Sequence, residues 1–415
     1  MTSPDDPAEQ RMGGVVLLLA AQVFLIMLGL GLVTPILPLY AQSFGVGAAA
    51  VGSLVTVFGI ARMLINIPAG QWTDRFGRKG LLVAGPLLTA TGAVGFAFAG
   101  SFAQLLIWRV VQGVGSAVLT TAAMVAVADI SNPQNRGRIM SMYQGSLLLG
   151  AGAGPAVGGV LADHFGVRSP FLVFAGLTAI AALWALLRIP ETRPPRTPPQ
   201  TTGGIPLPPP PRLRSVLRGL LRDRHFLLIS AVTLGTFFTR SGGQMTLLPL
   251  LGHNELGMSE SAIGLVFTLI SACNFAALYL AGSLADRLGR KAVIVPSGLI
   301  TGLSMGLYLI TGSVEFFFLN AVLLGIGTGL GGPAPAAYAA DIAPKATLGP
   351  AMGLYRTISD LGLVVGPVLL GGIVDLAGFD PAFGVNALLL FAITLAFAFF
   401  AKETAGPRSR RSDAS

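Results

Sequence analysis

Along most of its length the chain alternates long apolar runs with short polar connections that are mainly basic. Twelve runs reach the roughly 20 mostly apolar residues that a helix needs to cross a bilayer. They lie near 13–40, 48–71, 80–100, 103–129, 138–162, 170–189, 225–251, 260–284, 291–312, 315–341, 348–375 and 381–401, and are called spans 1 to 12 below. The first run is too long for a signal-peptide core and lacks a convincing cleavage site, so it is read as retained. The pattern predicts an all-α membrane protein.

The runs also repeat. GQWTDRFGRK at 70–79 returns as GSLADRLGRK at 282–291, an offset of 212 residues. Asp129 and Asp341, Tyr143 and Tyr355, Gly154-Pro155 and Gly366-Pro367, Asp163 and Asp375, and Glu191-Thr192 and Glu403-Thr404 keep the same offset. One shared segment arises by chance; six in one register mean a duplicated unit. The expected architecture is therefore two six-helix parallel repeats, the layout of many secondary transporters. Residues 1–189 form the first repeat, 190–224 a cytoplasmic linker, 225–401 the second repeat and 402–415 a cytoplasmic tail.

Charge fixes an orientation for this plan. Only 11% of the 415 residues are charged, under half of what a soluble protein carries. With both termini inside, 22 of the 27 Lys and Arg residues fall in cytoplasmic segments, one (Arg168) falls outside, and four lie within spans. That asymmetry follows the positive-inside rule, so the net charge of +9 needs no nucleic-acid partner. The expected location is an inner or plasma membrane, crossed many times. The single cysteine, Cys273, precludes an intrachain disulfide. The linker begins with a Pro-rich stretch that favours extended chain. It continues as RLRSVLRGLLRDR, where Leu213, Val216, Leu217, Leu220 and Leu221 share one helical stripe and Arg214, Arg218 and Arg222 lie largely off it. This segment reads as a basic amphipathic helix on the anionic cytoplasmic leaflet, or as a linker helix packed on the bundle.

Two groups of motifs carry the chemistry. Gly70, Asp74, Arg75, Gly77, Arg78 and Lys79 join spans 2 and 3, and Asp286, Arg287 and Arg290 belong to the second copy. Glycines allow tight turns, acids suit positive helix N-termini, and basic groups meet carboxylates or lipid phosphates. Span 5 holds Gly150, Gly154, Pro155, Gly158 and Gly159. Small residues four apart permit close helix contact and the proline bends the helix. The loop resembles the signature of the major facilitator superfamily. The span 5 run, LGLGLVTPILP with Gly29, Pro35 and Pro38, and RVVQGVGSA with Arg109, Gln112, Gly113 and Gly115 resemble its 12-span drug:proton antiporters. The resemblance implies a gate in which Asp74 latches onto the start of span 11 near Gly349, with Asp129 and its mate Asp341 joining the arginines of their loops. It also implies that spans 1, 4, 7 and 10 line a central path, which makes Gln22, Gln112, Gln244, Phe237, Phe238 and Tyr338 candidate ligand contacts. Packing is the competing role for the aromatic residues and for the span 5 glycines, Gly366 and Pro367 included.

Charges inside spans are costly and mark function by default. The candidates are Arg62, Arg109, Arg240, Arg356 and Asp360, none of which has a charged mate at the 212-residue offset. Of these only Asp360 takes up a proton at accessible pH. Two partners compete for it: Arg356, four residues earlier on the same face, and Arg62, which the resemblance places across from it between spans 2 and 11. Arg109 resembles the arginine to which proton coupling is assigned in the family. Arg240 sits beside Gly242-Gly243, where the helix is expected to loosen.

The leading expectation is a monomeric, proton-driven antiporter that exports small amphipathic compounds, with no bound cofactor. Four span arginines against one aspartate leave the interior positive, which disfavours cations and keeps an anionic metabolite as the alternative substrate. A non-transporting membrane sensor or assembly partner is the reading of a different class, and the retained motifs speak against it. No G-x-x-x-x-G-K-[ST] segment occurs, and His164, His225 and His253 have neither metal nor triad spacing, so no enzyme is expected.

Overall fold

In a computed structural model of the chain, residues 7–131, 135–193, 213–343 and 347–404 are described, and every regular element among them is a helix. Span 1 comprises α1 (Pro7–Val33) and α2 (Ile36–Gln42), broken at Thr34-Pro35, where proline has no amide to donate. Spans 2 to 6 are α3 (Ala48–Phe76), α4 (Arg78–Ala97), α5 (Phe102–Asp129), α6 (Arg136–Phe165) and α7 (Ser169–Arg188). The short α8 (Leu213–Leu220) follows in the linker. Span 7 is helical throughout but changes type, from α9 (Arg224–Phe238) through a π-helix (Thr239–Leu247) to α10 (Leu248–Asn254). Spans 8 to 12 are α11 (Glu260–Leu288), α12 (Lys291–Leu307), α13 and α14 (Val314–Gly331 and Ala334–Ile342, parted at Gly332-Pro333), α15 (Leu348–Ala377) and α16 (Phe379–Phe400).

Eleven stretches among the described residues are long and apolar enough to cross a membrane. Span 7 is the exception because the π-helix divides it, so no single α-helix of span length remains. Large apolar side chains such as Leu64, Ile67, Leu280 and Phe399 stay exposed, as lipid-facing positions do.

The duplication is visible in the turns. Among the described residues, six of the seven glycines with positive φ fall in three pairs at the repeat offset: Gly45 and Gly257, Gly77 and Gly289, Gly166 and Gly378. The helix caps follow suit, with Ser101 Oγ accepting from the Gln104 amide and Ser313 Oγ from the Phe316 amide.

The chain packs as two units whose borders differ from those of the repeats. The first contains the described residues within 1–194, 244–271 and 367–375. There α1 packs on α6 and α7, α4 on α5 and α7, and α3 on α5, around a core that includes Leu19, Leu82, Val118, Ala122 and Ala185. The second contains the described residues within 195–243, 272–366 and 376–415. Its α12 packs on α13 and α16, and α9 on α14 and α16, around Phe226, Ile294, Tyr338 and Phe397. Leu220 is buried in this second core, with Val216 packed against it, while Leu221 is 49% exposed. The stripe of α8 is thus at least partly used against protein, the linker-helix alternative. The Pro-rich part of the linker lies outside the described residues.

Candidate functional site

The basic loop of the first repeat is built around Arg78, whose side chain is only 9% exposed. Its Nε donates to Asp129 Oδ2 at 2.7 Å and its Nη1 to the Thr73 carbonyl at 3.2 Å. Asp129 ends α5, where the helix dipole disfavours a negative charge, so the guanidinium relieves it. Arg78 in turn begins α4, an unfavourable place for a cation. There the Glu191 carboxylate accepts from the amides of Arg78 and Lys79 at 2.9 and 3.2 Å and from that of Arg193 at 3.0 Å. Partial burial alone would push the Glu191 carboxyl up; these amides and the Arg78 charge outweigh it and hold it below the usual range. Gly77, with φ of +86°, is needed twice, since a side chain there would also strike Glu191. Arg75 lies over the Phe76 ring, and its carbonyl accepts from Arg193. Asp74 is 78% exposed, 3.5 Å from Arg78 within its own loop.

The second repeat rebuilds this cluster. Glu403 accepts from the amides of Arg290 and Lys291 at 2.8 and 3.1 Å, Arg290 Nε stands 3.6 Å from Asp341, and Thr404 donates to Asp341 at 3.1 Å. Arg287 is exposed, and the side chain of Asp286 lies outside the described residues. Glu191 and Glu403 are visible in the sequence as repeat landmarks. Their capping role is not, because the amides they serve lie 112 and 113 residues away.

Arg109 is 7% exposed. Its Nε donates to the Leu54 carbonyl at 3.3 Å and Nη1 to Gln112 Oε1 at 2.8 Å, while the guanidinium stands 4.9 Å from the centre of the Phe58 ring and 5.9 Å from that of Phe96. Gly113, one turn on, lets α5 approach α3 closely, since a Cβ there would lie 2.8 Å from the Phe58 carbonyl and from Ala61. Each of these neighbours of Arg109 is uncharged. Gln112 also borders a narrow apolar crevice with Ile26, Leu30, Thr89, Ser116 and Phe174.

The other span charges are less enclosed. Arg62 is half-buried, with its guanidinium 5.8 Å from the centre of the Phe58 ring; Asp360 is half-buried; Arg240, within the π-helix, and Arg356 are exposed. The π-helix is braced from α16, where Asn386 Oδ1 accepts from Thr239 at 2.7 Å.

Several candidate ligand contacts sit in packing positions. Gln22 is fully buried and donates to the Leu82 carbonyl at 2.7 Å, tying α1 to α4. Tyr338 is fully buried, donates to the Lys402 carbonyl at 2.7 Å and meets Phe397 edge-on. Phe238 is buried and its backbone abuts Gly366, whereas Phe237 and Gln244 are half-buried.

The span 5 glycines make helix contacts. A Cβ on Gly150 would lie 2.6 Å from the Phe24 carbonyl, one on Gly154 2.5 Å from that of Leu28, and one on Gly158 would strike that of Leu32. Gly159 and Pro155 instead meet the start of α11, at Glu260–Ser261 and Gly264. The second repeat copies the scheme, with Gly362 and Gly366 against α9 and Pro367 and Gly371 against Gly52 and Ala48 of α3.

A duplicated helix bundle with mirrored charge clusters at its basic loops is the build of a secondary transporter. The sequence matches the model of the Major Facilitator Superfamily over residues 19–259 and 235–415. The chain is 27% identical to Multidrug resistance protein 1 of Bacillus subtilis (strain 168), over 92% of its own length and 95% of that protein's. It is 25% identical to the quinolone resistance protein NorA of Staphylococcus aureus, over 85% and 88%. Its fold is similar to that of a bacterial homolog of the human lysosomal transporter Spinster in an inward-facing, occupied conformation (TM-score 0.77, 16% identity, covering 95% and 97% of the two chains). It is also similar to the human organic anion transporter MFSD10 (TM-score 0.65, 20% identity, covering 94% and 99%). This protein belongs to the Major Facilitator Superfamily; it is a multi-pass membrane transporter and not an enzyme.

Proposed function

We propose that the protein is a proton-driven antiporter that exports small amphipathic compounds, with both termini in the cytoplasm of the cell whose membrane it spans. One observation carries the reading: Asp360 is the only acid in the interior of a span, and four arginines share the membrane with it. Protonation of a carboxylate paired with one fixed cation turns that pair from neutral to positive, the kind of switch that couples proton uptake to a change of state. Asp360 is the proton carrier, with Arg62 or Arg356 as its ionic partner. Arg109 is a fixed cation set in uncharged surroundings, and Arg240, on a loosened helix, contributes to substrate selection. The names of the relatives, which include multidrug and quinolone resistance proteins, support efflux of drug-like compounds.

The charge balance also shapes the cargo. Leu54, Gln112 and the two rings do not neutralise Arg109. Neutral, zwitterionic or anionic amphiphiles are therefore preferred to cations, and an anionic metabolite is the second reading. Ligand-induced thermal stabilisation by matched cationic, neutral and anionic compounds, at pH 6 and pH 8, tests this. Stabilisation by neutral or anionic members is expected, and a preference for cations would refute the proposed charge selectivity.

A further inference from the structure

At the end of the spans away from the basic loops, two carboxylates do the same job in the two repeats. Asp375, near the end of α15, accepts from the Ala48 amide through Oδ1 at 2.6 Å and from the Ala49 amide through Oδ2 at 2.9 Å. Asp163, near the end of α6, accepts from the Ser261 amide through Oδ2 at 3.0 Å. The acceptors are 212 residues apart, and so are Ala49 and Ser261. All of these residues lie in the first packing unit.

We propose that Asp163 and Asp375 form a two-part latch that holds this end of the transporter shut, each capping the first turn of a helix from the opposite repeat. The inference rests on the proton-driven antiport proposed above and adds the element that must break when the path opens at this end. Three features support it. Each aspartate sits at the negative end of its own helix and docks on the positive end of another, so the contact relieves one unfavourable placement while making a favourable one. Glycines set the approach: Gly159 lies against Glu260–Ser261, Gly264 against the Pro155 carbonyl, Gly371 against Ala48 and Gly52 against the Pro367 carbonyl. Gly47 leaves room for the carboxylate itself, since a Cβ there would lie 2.7 Å from both oxygens of Asp375. Both aspartates remain exposed, which keeps each contact weak enough to break in every cycle.

The test is a spin-label distance measurement on the full chain in lipid nanodiscs, in a Cys273→Ser background. Label pairs at Ser43 and Ala377, and at Phe165 and Glu255, read the two sides of the latch from exposed positions. Asp163→Ala and Asp375→Ala are each expected to raise the ratio of long to short distances about fivefold, the typical effect of losing one helix cap. The double variant is expected to raise it about 25-fold. Asp380→Asn removes the same charge nearby without touching either cap, and should leave the ratio unchanged. Gly47→Ala keeps the carboxylate but crowds it; it gives a second reading of the same sign should an alanine variant of either aspartate fail to fold. Ratios within twofold of the parent in the alanine variants of both aspartates and in Gly47→Ala would overturn the latch. A parent protein whose distances ignore both substrates and a proton gradient would instead count against proton-driven antiport, while the effect of the aspartates would still be read.

Discussion

Replacing Gly154 by Ala adds one methyl group where two helices meet backbone to backbone. Its Cβ would lie 2.5 Å from the Leu28 carbonyl oxygen and 2.6 Å from the Gly31 Cα and carbonyl carbon, whereas ordinary contact begins at 3.4 Å. No side chain is available to rotate away, so α6 and α1 must separate by about 0.9 Å along a shared face. Overpacking of this kind costs about 1–3 kcal/mol, against which alanine returns about 0.5–1 kcal/mol of helix propensity. The net expectation is a loss of about 0.5–2 kcal/mol. Gly145 lies on the same helix, and a Cβ there would meet nothing within 4 Å. Gly145→Ala should therefore be neutral or slightly stabilising. Thermal denaturation in detergent, followed by the fraction that stays monodisperse, ranks the variants: Gly158→Ala and Gly154→Ala below the parent, Gly145→Ala at or above it. Equal stability of Gly154→Ala and Gly145→Ala would refute the close-packing argument for the span 5 motif.

Other predictions concern the charged clusters. Asp129→Ala strands the Arg78 guanidinium and should destabilise the first unit by about 1.5–3 kcal/mol, measured as a lowered denaturation midpoint. The Glu191 carboxyl is held low in the folded state, so the stability it adds is full above the ordinary glutamate range near about 4.3. It is lost as the pH falls through the lowered value. Glu191→Gln should therefore flatten the acid limb of the stability profile relative to the parent, and an unchanged limb would rule out the cap as its source. Arg109→Lys keeps the charge but not the fork that reaches the Leu54 carbonyl and Gln112 together. About a tenfold or greater loss of transport is expected in a vesicle assay.

The larger architecture was legible because its signals are local or periodic. Apolar runs mark the spans, and one offset marks the repeat. That offset also exposed Glu191, Glu403, Asp163 and Asp375 as landmarks, yet not their tasks. Each task belongs to an amide in a distant segment, and nothing in linear order marks which helix end a carboxylate will meet. The Gly242-Gly243 pair announced a loosened span 7, while the extent of the π-helix, Thr239–Leu247, depends on packing such as the brace from Asn386. Gln22 and Tyr338 show the opposite failure. A polar group in a membrane helix faces either a path or a backbone carbonyl, and these two face the carbonyls of Leu82 and Lys402. The Asn386 brace and the second-repeat glycines Gly362 and Gly371 have no mark in the sequence, because an isolated Asn or Gly in an apolar helix carries no pattern of its own.

The measurement that bears most directly on the account is efflux of a neutral fluorescent amphiphile in proteoliposomes under an imposed proton gradient, for the parent protein and Asp360→Asn. Transport that requires the gradient in the parent, and is lost in the variant while binding persists, is the predicted result. Gradient-driven transport that survives Asp360→Asn would contradict the assignment of Asp360 as proton carrier, and a parent indifferent to the gradient would contradict proton-driven antiport itself.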